Sequence, residues 1–77
     1  APFTKPAEMN SKALAEALLF SEENIVRELA TAELRTRDAD KMLSALNSLE
    51  LKDDLHIVRR VWATQALKGW ILVWPNN

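Results

Sequence analysis

The stretch DDLHIVRRVWATQALKGWILVW, residues 53–74, decides the fold. It contains all three tryptophans, the only glycine and the only histidine of the chain. At helical spacing it shows one apolar line with Ile57 and Val61 beside it, and a polar line at every fourth residue flanked by Arg59. The apolar line is Leu55, Val58, Trp62 and Ala66, and the polar line is His56, Arg60, Thr64 and Lys68. These two lines predict a helix over 54–68 with the apolar line turned inward.

The ends of this segment carry helix signals. Asp53 or Asp54 can accept hydrogen bonds from the free N–H groups of a first turn. Lys68 and Gly69 form a typical stop, a cation in the last turn followed by the residue that enters the left-handed region without penalty. Read at strand spacing, both faces of 56–63 mix charged and apolar residues, which is unlike a half-buried strand. Helix is favoured, and a hairpin remains the alternative.

After Gly69 the chain runs through five consecutive apolar residues, 70–74, and then Pro75. The run is too short to span a bilayer, and its tryptophans and β-branched residues favour an extended, strand-like tail. Burying one tryptophan removes roughly 150–250 Å² from water. We therefore expect the tail, residues 70–77, to be buried either in the domain's own core or in a partner.

The rest of the chain predicts three more helices. Proline and glycine are absent between Pro6 and Gly69, so the whole middle can be helical. Helices are expected near 11–19, 22–34 and 38–50, after an extended arm over 1–9. Their expected caps are Asn10 or Ser11, Ser21 with Phe20 packing on Ile25, and Thr36 or Asp38. The second helix is expected to bury Ile25, Val26 and Leu29, and 31–36 either extends it or forms a short helix of its own.

Length and composition indicate one small domain, residues 1–77, held together by packing. The chain has 77 residues, 48% of them hydrophobic, and no cysteine, so neither disulfides nor cysteine-bound metals stabilise it. No charged segment followed by an apolar leader opens it, and we expect a cytoplasmic location. The predicted fold class is all-α, a small bundle of about four short helices with an apolar C-terminal tail.

The sequence offers little for catalysis or cofactors. His56 lies three residues after Asp53, but such a pair more often belongs to helix capping. Asp38 and Asp40 are too few to hold a cation and fit a first helical turn. A single glycine cannot build a phosphate-binding loop. We expect no enzymatic activity, no cofactor and no metal.

The alternative function is DNA binding by a winged helix-turn-helix, an α+β fold. Residues 31–34, a turn and a second helix over 38–49 would form the helix-turn-helix, and a hairpin of 56–63 with 70–74 would form the wing. The candidate contacts would be six cations on the recognition helix and wing: Arg35, Arg37, Lys41, Arg59, Arg60 and Lys68. The net charge of −1 and the acids at Asp38 and Asp40 disfavour this alternative.

The favoured function is a protein-interaction or self-assembly module, for example a homodimer or a small regulator or inhibitor of a larger complex. Trp70, Leu72 and Trp74 are residue types that can anchor an interface, and Arg59 and Arg60 are expected at its rim. A tail with apolar residues on both faces cannot bury both on one domain. A symmetry mate can cover the second face. No basic amphipathic face accompanies the run, which disfavours a membrane surface.

Overall fold

A computed structural model describes residues 5–69, and these form a bundle of four helices. A 3₁₀ turn, Pro6–Glu8, leads into α1 (Ser11–Phe20), α2 (Asn24–Leu34), α3 (Ala39–Ser48) and α4 (Asp54–Leu67). Within 5–69 there is no strand, so the predicted all-α class and the four helices are confirmed. The strand assigned to 56–63 in the winged alternative is wrong, because these residues lie inside α4. The apolar tail lies outside the described residues.

Three of the four helices begin with the side-chain caps that the sequence predicts. Asn10 accepts a hydrogen bond from the Ala13 N–H at 2.8 Å, and Asp53 accepts from the Leu55 N–H at 2.8 Å. Asp38 accepts from the Asp40 N–H at 3.2 Å. These bonds satisfy donors that have no partner within the helix. Gly69, with φ of 77°, ends α4 in the left-handed region, as its position predicts.

The start of α2 differs from the prediction. Ser21 was expected to cap it, but the helix begins at Asn24 after Glu23, which makes no side-chain cap. The Ser21 hydroxyl instead accepts from the Glu23 N–H at 3.3 Å, inside the connecting loop. Ser21 is used differently: its N–H donates to the Ala17 carbonyl oxygen at the end of α1, and its own carbonyl oxygen accepts from Arg27 and Arg59. At its other end α2 runs to Leu34, so 31–36 begins as an extension of α2.

The core lies around α1, which packs against all three other helices. Its leucines are fully buried, and one large side chain from α2 and two from α3 complete the centre. The largest fully buried side chains are Leu14, Leu18, Leu19, Leu34, Met42 and Leu46. Ala30, Ala63 and Ala66 fill the places where helices approach closely. Of the large apolar residues of α1, Leu14, Leu18 and Leu19 are buried, whereas Phe20 at its end is 37% exposed.

α2 buries a different line from the one predicted. Val26 is buried as expected, but Ile25 is 57% exposed and Leu29 is 44% exposed. The inward line is Val26, Ala30 and Leu34, spaced four residues apart, with Arg27 and Thr31 beside it. The prediction was wrong for Ile25 and Leu29 because apolar residues occupy both sides of this helix, so composition alone does not select the buried side.

α4 is also turned relative to the prediction. Its buried residues are Arg59, Ala63 and Ala66. Of the predicted apolar line, Ala66 is buried, Leu55 and Trp62 are half-buried, and Val58 is exposed. Arg59, expected on the surface, faces the interior. The inner side of the helix therefore carries one charged residue and two alanines, and larger aliphatic side chains lie on the outer side.

Candidate interaction site

The exposed side of α4 is apolar at its centre. Ile57 is 38% exposed, Val58 is 45% exposed and Val61 is 50% exposed. We call these three residues the α4 outer face. Residues three and four apart lie next to each other on a helix, so the three side chains form one cluster. β-branched side chains are restricted at χ1, and they lose little conformational entropy when another surface covers them.

The orientation of α4 is set by Arg59 on the opposite side. Its Nη1 donates to the Leu19 carbonyl oxygen at 3.0 Å and to the Ser21 carbonyl oxygen at 3.3 Å. These carbonyls lie at the C-terminal end of α1, where backbone acceptors lack helical partners and the helix dipole favours a cation. Ala63 and Ala66 let the α4 backbone approach closely. Since this side faces inward, the α4 outer face must point away from the core.

Arg27 reinforces the same junction. It donates through Nη1 to the Ser21 carbonyl oxygen at 2.7 Å and through Nη2 to Asn24 Oδ1. Burial lowers the pKa of Arg27, the positive charge of Arg59 lowers it further, and nearby glutamates oppose the change. One of them, Glu22, places Oε1 at 3.9 Å from Arg59 Nη1 with its own side chain exposed. The two arginines therefore hold the turn between α1 and α2.

The predicted rim arginines occupy different environments. Arg59 is only 6% exposed and is engaged inside the bundle. Arg60 is half-buried and donates to the Leu49 carbonyl oxygen at 3.4 Å, a long contact. Arg60 and Val61 line one shallow groove between the end of α3 and α4, completed by Asn47, Thr64, Gln65 and Lys68. Arg60 thus adjoins the α4 outer face, and Arg59 supports it from behind.

The predicted anchors Trp70, Leu72 and Trp74 lie outside the described residues. Their attachment point is described, because Gly69 ends α4 directly before them. In sequence the tail therefore follows the helix that carries the exposed apolar cluster. The structure adds Ile57, Val58 and Val61 to the candidate site. The excess of apolar residues around the α4 circumference was the available signal.

The cations proposed for DNA binding fall into two groups, three that contact backbone carbonyls within the domain and three that are exposed. Arg37 donates through Nη2 to the Met9 carbonyl oxygen at 2.8 Å and pairs through Nε with Glu33 at 2.6 Å. Together with Arg59 and Arg60, it binds backbone carbonyls within the domain. The other three cations are exposed on different elements: Arg35 after α2, Lys41 in α3 and Lys68 after α4.

His56 and Asp53 make separate contacts. The His56 ring packs edge-on against Phe20, with ring centroids 4.9 Å apart and an interplanar angle of 82°. Asp53 Oδ1 caps α4 through the Leu55 N–H. Neither contact involves the other residue. Across residues 5–69, no three histidine, aspartate or glutamate side chains are grouped closely enough to hold a metal ion.

A second exposed apolar region was not predicted. It is a groove between the 3₁₀ turn and α2, next to the exposed side chain of Leu29. Its lining residues are Lys5, Pro6, Ala7, Leu29, Ala32, Glu33 and Thr36. Arg37 holds the turn in place by donating to the carbonyl oxygens of Pro6 and Met9. The i, i+4 spacing of Ile25 and Leu29 was the sequence signal for this outward side of α2.

Comparisons with known proteins give no relative. No protein-family profile, curated protein sequence or solved structure matches the chain significantly. None of the helices within residues 5–69 is both long and apolar enough to cross a membrane.

Proposed function

We propose that this chain is a non-catalytic protein-interaction module, acting in the cytoplasm, that docks through the α4 outer face together with the C-terminal tail. The observation that carries the proposal is the clustering of Ile57, Val58 and Val61 on the solvent side of the helix that leads into the tail. Single exposed aliphatic residues are common on protein surfaces and need no explanation. Three adjacent ones form an exposed apolar cluster, and in sequence a run of five more apolar residues, 70–74, follows this helix.

The composition of this surface suits an interface centre. Tryptophans frequently provide most of the binding energy, and surrounding aliphatic residues exclude water from them. Trp70 and Trp74 would be the anchors, with Leu72 and the α4 outer face around them. Arg60 would lie at the rim, since it is half-buried beside Val61. Arg59 has no place in this rim because its guanidinium binds α1.

Within residues 5–69, the α4 outer face is not covered by the core. The inner side of α4 is already packed by Arg59, Ala63 and Ala66. Burial of the three aliphatic residues would therefore require a further surface, which a partner protein can provide.

Photo-crosslinking in cells tests the proposal. A benzophenone amino acid at Val58 should give one discrete adduct with a protein. The matched control is the same substitution at Lys12, which is exposed two helical turns before Phe20 and should give none. Equal, diffuse labelling from both positions, or no adduct from Val58, would contradict docking through this face.

The contribution of the tail is tested by comparing two alanine substitutions. Trp74→Ala should reduce the yield of the Val58 adduct more than Arg60→Ala does, because a tryptophan anchor buries far more surface than a rim arginine. An adduct yield unchanged by Trp74→Ala would remove the tail from the interface. A salt-sensitive gel shift with random duplex DNA would instead favour the nucleic-acid alternative.

A further inference from the structure

We infer that the partner that covers the α4 outer face is a second copy of this chain, with the two α4 helices packed antiparallel about a two-fold axis. The inference rests on the proposed docking function and names its partner. Two observations support it: the distribution of charge along α4 and the position of its exposed apolar side chains.

The two ends of α4 differ in charge: two acids begin the helix, directly after the exposed Lys52, and a cation follows its last residue. Asp53 and Asp54 lie at its N-terminal end, and Lys68 follows its last residue; all three are exposed. In an antiparallel pair the acidic end of one helix meets the basic end of the other, and the helix dipoles are also opposed. A parallel pair would bring acids next to acids. The surface is therefore complementary to itself in one orientation.

The apolar residues determine the register. When Ile57 of one copy lies level with Val61 of the other, the two-fold symmetry produces this contact twice, with Val58 beside each one. The axis then passes at the level of Arg59, which faces away from the interface. A different register that brought the acids of one copy closest to Lys68 of the other would move Ile57 and Val61 apart. Apolar burial outweighs exposed ion pairs, so the register with Ile57 opposite Val61 is expected.

The area of the interface requires the tail. α4 has 14 residues. At 1.5 Å per residue and roughly 10 Å width, it offers a stripe of about 200 Å². A stable interface buries about 800 Å² on each partner. Trp70 and Trp74 would add roughly 300–500 Å² when buried. The helix and the tail together approach the required area, whereas the helix alone does not.

Single-cysteine variants of the full chain test the register, because the natural sequence has no cysteine. Mixing Ile57→Cys with Val61→Cys places the two thiols level with each other. Two Gln65→Cys copies, one turn further along, would lie about 18 Å apart along the helix, too far for a disulfide. Under mild oxidation, the mixed disulfide should form at least tenfold faster than the Gln65→Cys dimer, with mass spectrometry identifying each product.

Sedimentation equilibrium provides the second measurement. The wild type should show a monomer–dimer equilibrium, and Val61→Asp should raise the dissociation constant at least tenfold. Ile57→Thr, which keeps the β-branched shape, should raise it less, and circular dichroism checks that both variants fold. A wild type that stays monomeric at high concentration would overturn the inference. A dimer unaffected by both substitutions would do the same, as would rapid Gln65→Cys crosslinking.

The failure of this inference is distinguishable from the failure of the proposed function. A monomeric chain whose Val58 position crosslinks to a different protein would leave the docking function intact and overturn self-association. A monomeric chain without any Val58 adduct would overturn both.

Discussion

Helices α1 and α4 bury different kinds of side chain. α1 buries leucines at Leu14, Leu18 and Leu19, as its hydrophobic pattern directs. α4 buries an arginine and two alanines, and its β-branched aliphatic residues lie on the solvent side. Hydrophobicity selects the inward side of α1. The inward side of α4 is selected differently. Small residues let the helices pack closely there, and Arg59 donates to the carbonyl oxygens at the end of α1.

The largest effect should come from truncating the core of α1. Leu18→Ala removes a fully buried side chain and should reduce the free energy of unfolding by about 2–5 kcal/mol, because the cavity cannot close completely. Val61→Ala, on the α4 outer face, should change it by about 0.5 kcal/mol or less. Urea denaturation at low protein concentration measures both. Equal losses would mean that the two helices do not differ in the way described.

Removing the guanidinium of Arg59 should have the next largest effect. Arg59→Met keeps the apolar stem but leaves the Leu19 carbonyl without this donor, and the expected loss of stability is about 1.5–3 kcal/mol. Arg60→Met is the control. Its bond to Leu49 is long and half-buried, so about 0.5 kcal/mol is expected. If both variants unfold at the same urea concentration, Arg59 does not set the orientation of α4.

The N-terminal caps should show where α1 and α4 are alike. Asn10→Ala and Asp53→Ala each remove one side-chain acceptor at 2.8 Å from a backbone N–H. Each should reduce the free energy of unfolding by about 1 kcal/mol. Thermal unfolding monitored at 222 nm gives the comparison, with Ser44→Ala, at an exposed position within α3, as a reference substitution. A much smaller loss at Asp53 would indicate that α4 is held only by its tertiary contacts.

The sequence was sufficient to predict the helices but not their orientation. The caps at Asn10, Asp38 and Asp53 and the stop at Gly69 are local signals, and the sequence predicts them correctly. The start of α2 is different, because Ser21 does not cap it. The inward side of a helix depends on the neighbouring surface. The two carbonyl groups at the end of α1 that accept from Arg59 belong to residues about 40 positions earlier in the chain. The spacing of residues within α4 therefore cannot predict this contact.

The candidate site was predictable in part for the same reason. The tail was predicted to form an interface because of its composition. Arg60 was predicted at the rim, and it lies beside the exposed cluster. Arg59 could not be distinguished from Arg60 by sequence, since adjacent arginines differ only in the direction that the folded helix gives them. Val58 was predicted to face inward as part of the apolar line, with Ile57 and Val61 beside it, because aliphatic residues are usually buried.

The most direct test of the account is the stability of a variant with threonine at all three positions of the α4 outer face, Ile57→Thr, Val58→Thr and Val61→Thr. Threonine keeps the β-branched shape and adds a hydroxyl, which costs little in solvent and much in a packed interior. Measured by urea denaturation at a concentration low enough to suppress association, the free energy of unfolding should fall by about 1 kcal/mol or less in total. A loss of several kcal/mol would show that these side chains belong to the domain's own core and would contradict their assignment to a docking surface.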